Sequence, residues 1–208
     1  MLGVIFVFLS NFVFAANEGK FFIVKGNVQI ENGKEILKAK VGASVSAGDV
    51  IVTDVDSRAK IVMVDKNVIH VSPSTRLKIE TYKTTGADKN VNLNLIEGKV
   101  RNDVKQKYDN KNSKFEVRTA TAVAGVRGTR FITSFDKANK VTQVITVSGK
   151  VEFQSITAAN TGNTNTSGVT VEAGQKSEQK ESNNPSAPIV LPPTEMKQIE
   201  TEATVKKG

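Results

Sequence analysis

Residues 119–131 read TATAVAGVRGTRF, a run of small and β-branched side chains with glycines at 125 and 128 and arginines at 127 and 130. Glycines three apart beside positive charge suggest a loop that cradles phosphate. A P-loop, however, needs G-x-x-x-x-G-K-[ST] between a strand and a helix, so that backbone N–H groups and the helix N-terminus together hold the anion. Here Gly128 is followed by Thr129 and Arg130, and the chain resumes as FITSF, a strand. The Gly-x-x-Gly clamp for single-stranded RNA fails for the same reason, because it joins helices in an α/β setting. Strand, turn, strand is the reading that remains.

On that reading Phe115, Val117, Thr119, Thr121 and Val123 share one face, with Glu116, Arg118, Ala120, Ala122 and Ala124 on the other. Gly125 and Gly128 break the alternation as a bulge or tight bend would, and Phe131 restarts a strand. Arg127 then either forks onto a carboxylate or backbone carbonyls to hold the bend, or points outward at a partner. Thr119, Gly125, Arg127, Gly128, Thr129 and Arg130 are the motif and candidate interaction residues.

The same period of two runs outward in both directions. Val28 and Ile30 precede an Asn32-Gly33 turn, Ala47-Gly48-Asp49 makes another before Val50–Thr53, and Asp65-Lys66-Asn67 a third. Closely spaced strands of this kind imply an all-β fold, either an antiparallel sandwich or a short β-solenoid-like stack of hairpins. Gly26-Asn27-Val28, Gly98-Lys99-Val100 and Gly149-Lys150-Val151 echo one another, each setting glycine before a strand. Residues 102–114 are polar and rich in Asn and Lys, and read as an exposed loop. TAANTGNTNTSG reads as a flexible linker before a last strand, VTVEAGQ, and residues 176–208 read as a disordered C-terminal tail. The domain therefore spans residues 20–175.

Residues 1–16 form an apolar run ending in Ala15 and Ala16, the pattern of a Sec-type signal peptide cleaved near either alanine, although no Lys or Arg precedes it. The run is short for a bilayer span, which needs roughly 20 apolar residues, so an integral membrane protein is not expected. With no cysteine, the chain has no disulfides, no thiol chemistry and no lipid-attachment residue. The expected location is the periplasm or the exterior. A formal charge of +8 favours anionic partners, and export removes nucleic acid from among them.

Nothing in the sequence assembles a catalytic site. The single histidine, His70, sits inside VIHVS as an ordinary strand residue, and Gly42-Ala43-Ser44-Val45-Ser46 lacks the second glycine of a nucleophile elbow. Metal binding by clustered His or Cys is excluded by counting. Asp54 and Asp56 read as a solvated turn, leaving a carboxylate pair acting on a glycan as the one enzymatic alternative. No cofactor is expected. Lys99, Arg101, Lys105, Lys107, Lys111, Lys114 and Arg118 form a basic stretch around Tyr108, a solvated loop or else a surface for lipopolysaccharide, peptidoglycan or another anionic glycan.

The step Val126-Arg127-Gly128-Thr129-Arg130-Phe131, entered from a strand of threonines and small residues, resembles the V-R-G-T-x-F signature of FecR-domain proteins. The resemblance covers about residues 24–175 and includes VGASVSAGDVIVTDVDSRAKIVMVDKNVIHVSPSTRLKI, LIEGKVR and ITVSGKVEF. It implies a noncatalytic β domain of the cell envelope that recognises another protein, in its namesakes an outer-membrane transporter in an iron-uptake relay. Those namesakes also carry a cytoplasmic anti-sigma region and a membrane span. Neither is apparent here, so a stand-alone exported module is expected, with an envelope protein or an anionic surface polymer as partner and cell-surface signalling as its context.

Overall fold

A computed structural model describes residues 17–33, 35–86, 88–108, 110, 112–156, 168–181 and 183–206. The expected signal peptide at 1–16, most of the expected linker and Lys111 lie outside them. The described residues form β1 (Gly19–Lys25), β2 (Val28–Asn32), β3 (Glu35–Lys38), β4 (Ser44–Val45), β5 (Val50–Thr53), β6 (Arg58–Met63), β7 (Val68–Val71), β8 (Thr75–Lys83) and β9 (Asn90–Asp103). They continue through β10 (Lys114–Arg118), β11 (Ala122–Val126), β12 (Arg130–Asp136), β13 (Val141–Ser148), β14 (Lys150–Ser155), β15 (Val169–Glu172), β16 (Gln175–Lys180), β17 (Ile189–Val190) and one helix, α1 (Pro193–Ala203).

The strands make two layers of a sandwich. One layer runs β4-β1-β6-β7-β9-β12-β13-β16-β17 and the other β3-β2-β5-β8-β9-β10-β11-β14-β15. We call these the first and second layers. β9 belongs to both, so hydrogen bonding is continuous and the strands form one folded-over mixed sheet. All the pairings are antiparallel except β9 with β10. Alternation within strands is regular: β6 and β8 bury every second residue along most of their length. The inward rows, including Phe21, Ile61, Val100 and Phe131 from one layer and Ile51, Leu77, Leu93 and Phe153 from the other, close into one core.

Three of the crossings between layers turn at glycines. Gly26 takes β1 into β2, Gly98 bends β9 across, and Gly149 takes β13 into β14, with φ of 73°, 94° and 86°. At each corner a hydroxyl at, or just before, the start of another strand grips the next residue: Asn27 N–H donates to Ser57 Oγ (2.8 Å), Lys99 N–H to Thr75 Oγ1 (3.0 Å), and Thr129 Oγ1 to Lys150 O (2.8 Å). The approach is close enough at Gly98 that a Cβ would lie 2.6 Å from both Ser74 O and Thr75 Cα. A side chain there meets backbone on one side and the left-handed region on the other.

Two sequence expectations change here. Gly125 is no bulge, because β11 keeps an unbroken register through it with β10 and β14, whereas Gly128 is a true turn at φ 89°. The presumed single strand from 115 to 124 is a hairpin folded at Thr119–Thr121, which places Ala122 and Ala124 in the core and turns Val123 to the opposite face. Thr119 Oγ1 holds that turn by accepting from Thr121 N–H and Ala122 N–H, at 3.2 and 3.0 Å.

The segment beyond residue 175, expected as a disordered tail, instead adds β16 to β13, β17 to β16, and α1 to the outer face of the first layer. α1 lies against a cross-strand row of that layer: His70, Arg101, Ile132 and Ile145 on β7, β9, β12 and β13. Leu191 and Ala203 bury against Ile132 and Ile145. Val205 N–H donates to His70 Nδ1 at 3.0 Å, a bond only an unprotonated Nδ1 accepts.

Gly98→Ala is expected to cost more than about 3 kcal/mol in chemical denaturation or to prevent folding, since strain and backbone overlap act together. Gly33→Ala, with φ 58° and nothing within 4 Å of its Cβ, is the control, at about 1–2 kcal/mol. A second expectation concerns acid. Burial, with Arg101 and Lys60 adding to it and Asp103 opposing, lowers the His70 pKa from 6.5 to about 4. The folded chain therefore binds this proton more weakly than the unfolded chain. The stabilisation is complete above pH 6.5 and is lost as pH falls from there toward 4, a total of up to about 3 kcal/mol. His70→Gln should flatten that part of a stability-versus-pH curve.

Candidate functional site

The Val126–Thr129 step forms one rim of an open groove of about 690 Å³ on the outer face of the second layer. Gly125 is its floor, paired on one side with Glu116 of β10 and on the other with Glu152 of β14. A Cβ at Gly125 would touch only Glu152 O, at 3.9 Å, and the residue has no positive φ. Neither backbone conformation nor packing demands glycine there; its effect is to leave the floor bare. Gly128 and Gly149 shape the far end, where Thr129 is buried and ties the rim to the Gly149 corner.

Charges on the groove walls are satisfied by one another. Glu116 takes Arg118 at 2.9 Å and Lys114 at 3.7 Å, while Lys150 reaches Glu172 at 2.7 Å. Glu152 accepts from the Thr170 hydroxyl at 3.2 Å. Arg127 differs. It is exposed on the rim and forms no ion pair or hydrogen bond among the described residues, and neither does its backbone N–H or that of Gly128. The other five arginines are all engaged: Arg58 with Glu202 O, Arg76 with Glu31, Arg101 with Asp103 and Glu200, Arg118 with Glu116, and Arg130 with Asp103 and Glu200.

Of the motif residues, then, Thr119 holds a turn, Thr129 locks a corner, and Arg130 pairs with carboxylates of β9 and α1. Gly125, Arg127 and Gly128 are brought together at the groove. The basic stretch does not form one surface. Lys114 and Arg118 stand on the second layer; Arg101, 5% exposed, lies under α1 on the first, and Lys99 is half-buried beside the Gly98 corner. Lys105 and Lys107 are exposed in a loop that is itself anchored. Its Tyr108 is fully buried, and Asn67 Oδ1 accepts from Lys105 N–H at 2.8 Å. Tyr82 and Tyr108 aim their hydroxyls at Asp65, and burial together with that carboxylate pushes both phenols up.

Among the described residues, no group of three or more His, Asp or Glu side chains is placed to hold a metal ion. No helix among them is long and apolar enough to cross a membrane.

The model for the family described as FecR protein matches residues 49–152, half of the chain and the stretch that runs from the turn before β5 into the start of β14. The chain belongs to the FecR family. Two crystal structures of a candidate anti-sigma factor from Parabacteroides distasonis, at 1.65 and 2.50 Å, are similar to it in fold. Each aligns with a TM-score of 0.53 at 18% identity, over 68% of this chain and 59% of the other. This FecR chain thus spans less than two thirds of the length of the solved proteins it matches. No curated protein sequence matches it.

The role of Thr129 is directly testable. Thr129→Val keeps the shape and removes the hydroxyl that holds Lys150 O, so it should cost about 1–2 kcal/mol in denaturation, and Thr129→Ser should recover most of that.

Proposed function

We propose that this FecR-family chain is a noncatalytic, signalling-related regulatory module of the cell envelope that works by binding a protein partner at the groove beside Gly125, with Arg127 as the anchor. The observation that carries the reading is the unpaired guanidinium. In a chain where the other five arginines are matched to an acceptor, one planar, five-donor group is left open on the rim of a bare-floored groove. Arg in such a position is a frequent energetic centre of protein interfaces. Membership of the FecR family and the fold shared with a candidate anti-sigma factor support regulation by protein contact. The apolar leader and the absence of cysteine support export to the envelope. The dispersal of Lys99, Arg101, Lys114 and Arg118 over different faces gives no observation in favour of an anionic-polymer surface.

The test uses a photocrosslinking residue at position 152, on the groove wall, in the full chain expressed in its own envelope. One protein should be captured, and the same protein should be lost from Arg127→Gln and from Gly125→Leu, whose backbone tolerates a side chain. Affinity of the captured protein should fall about thirtyfold for Arg127→Gln, corresponding to the ~2 kcal/mol of an interfacial arginine. Thermal stability of the two variants should stay within a few degrees of the parent. Capture indifferent to both substitutions would discard the groove as the interface.

A further inference from the structure

On the opposite layer from the groove, α1 covers a second surface whose chemistry is unlike that of a permanent core. The cross-strand row beneath it carries Lys60, His70, Arg101, Ile132 and Ile145, with Asp103 and Arg130 in the adjacent row. Only part of the contact is apolar: Ile132 and Ile145 take Leu191 and Ala203, with Val147, Met196 and Ile199 at the margin. The remainder is a cap for a helix C-terminus. Arg101 Nη1 donates to Glu200 O at 3.3 Å and to the Thr204 hydroxyl, Arg58 Nη1 donates to Glu202 O at 2.5 Å, and Arg101 and Arg130 both pair with the Glu200 carboxylate. α1 has no basic residue in its own last turn, so the strands supply the positive charge that its carbonyl end and dipole call for.

We propose that the outer face of β7, β9, β12 and β13 is a binding site for the C-terminal end of an acidic amphipathic helix, closed in cis by α1 and open to such a helix of a partner protein when α1 lifts. Three observations point to an exchangeable occupant. At eleven residues α1 is too short to persist alone, and Ala203 is its one buried residue, so its helicity depends on the dock. Arg101, Asp103, Arg130, Arg58 and His70 would leave the uncovered face hydrated, whereas a permanently covered face gains more from apolar side chains than from buried ion pairs, whose best-attested contribution is to register. The fit is also chemically selective. The helix that occupies the face carries Glu195, Glu200 and Glu202 against Lys197; the Glu200 carboxylate pairs with Arg101 and Arg130, and Arg58 takes the Glu202 carbonyl.

The probe is a fluorescein-labelled peptide of residues 189–206, added to the unlabelled full chain at pH 7 and followed by anisotropy. Saturable binding is expected, and a peptide with Glu200→Lys and Glu202→Lys should bind at least about tenfold more weakly, a comparison that leaves the protein itself unaltered. In native-state hydrogen exchange, α1 amides should exchange at least about tenfold faster than β9 and β12 amides, reporting opening below the global transition. Failure of the parent peptide to bind saturably, or equal binding of the charge-reversed peptide, overturns the proposal. Binding confined to dimers of the chain overturns it as well, since the occupant would then be a second copy.

Discussion

The fold depends on a hydroxyl holding backbone at a left-handed glycine. A sandwich whose strands pass repeatedly from one layer to the other must turn sharply without exposing unpaired amides in the corner, and a residue with a Cβ would strike the neighbouring strand. Gly26, Gly98 and Gly149 solve the steric half, and Ser57, Thr75 and Thr129 the polar half. Each hydroxyl residue is followed by an arginine that opens or adjoins a strand: Arg58, Arg76 and Arg130. The unit is therefore a corner plus a strand start whose arginine is engaged, used three times, and Thr129 of the Val126–Thr129 step supplies the hydroxyl of the third, at Gly149.

That repetition explains how much could be read in advance. The period of two, the turns at Asn32-Gly33, Gly48 and Asp65–Asn67, and the Gly-x-Val echoes are local signals, and each marks a real strand, turn or corner. The Ser/Thr-Arg dipeptides were equally visible and are the signal that would have located the corner partners. Gly125 misled because glycine in a strand suggests broken backbone, whereas here it clears space on an outward face. The basic stretch misled because sequence proximity hides the change of layer across the loop between β9 and β10: Lys99 and Arg101 stand in the first layer, Lys114 and Arg118 in the second.

What no local pattern could reveal is the contact between β7 and β9 and the chain's end. His70 and Arg101 meet residues about 100 or more positions away, and a polar segment such as TEMKQIETEATV signals solvation unless its receptor is known. Arg101 read as surface charge because arginine almost always is; it is buried because a helix end supplies carbonyls and a carboxylate to satisfy it. The arginines are accordingly a poor guide to partners, since five of the six are engaged within the fold.

Arg127 stands apart from that internal matching, and its setting is stiff. Its neighbour Thr129 bonds Lys150 O and its neighbour Gly128 presents a carbonyl to the Gly149 corner, so the rim of the groove and a layer crossing are the same piece of backbone. A ligand that engages the guanidinium therefore meets donors whose main chain is already fixed, with the side-chain rotamers as the main freedom left to lose. Preorganisation of this kind is what a recognition surface gains from being grafted onto a structural corner. It also gives one short motif two roles: Gly128 and Thr129 make the bend, and Arg127 is the anchor we propose for a partner.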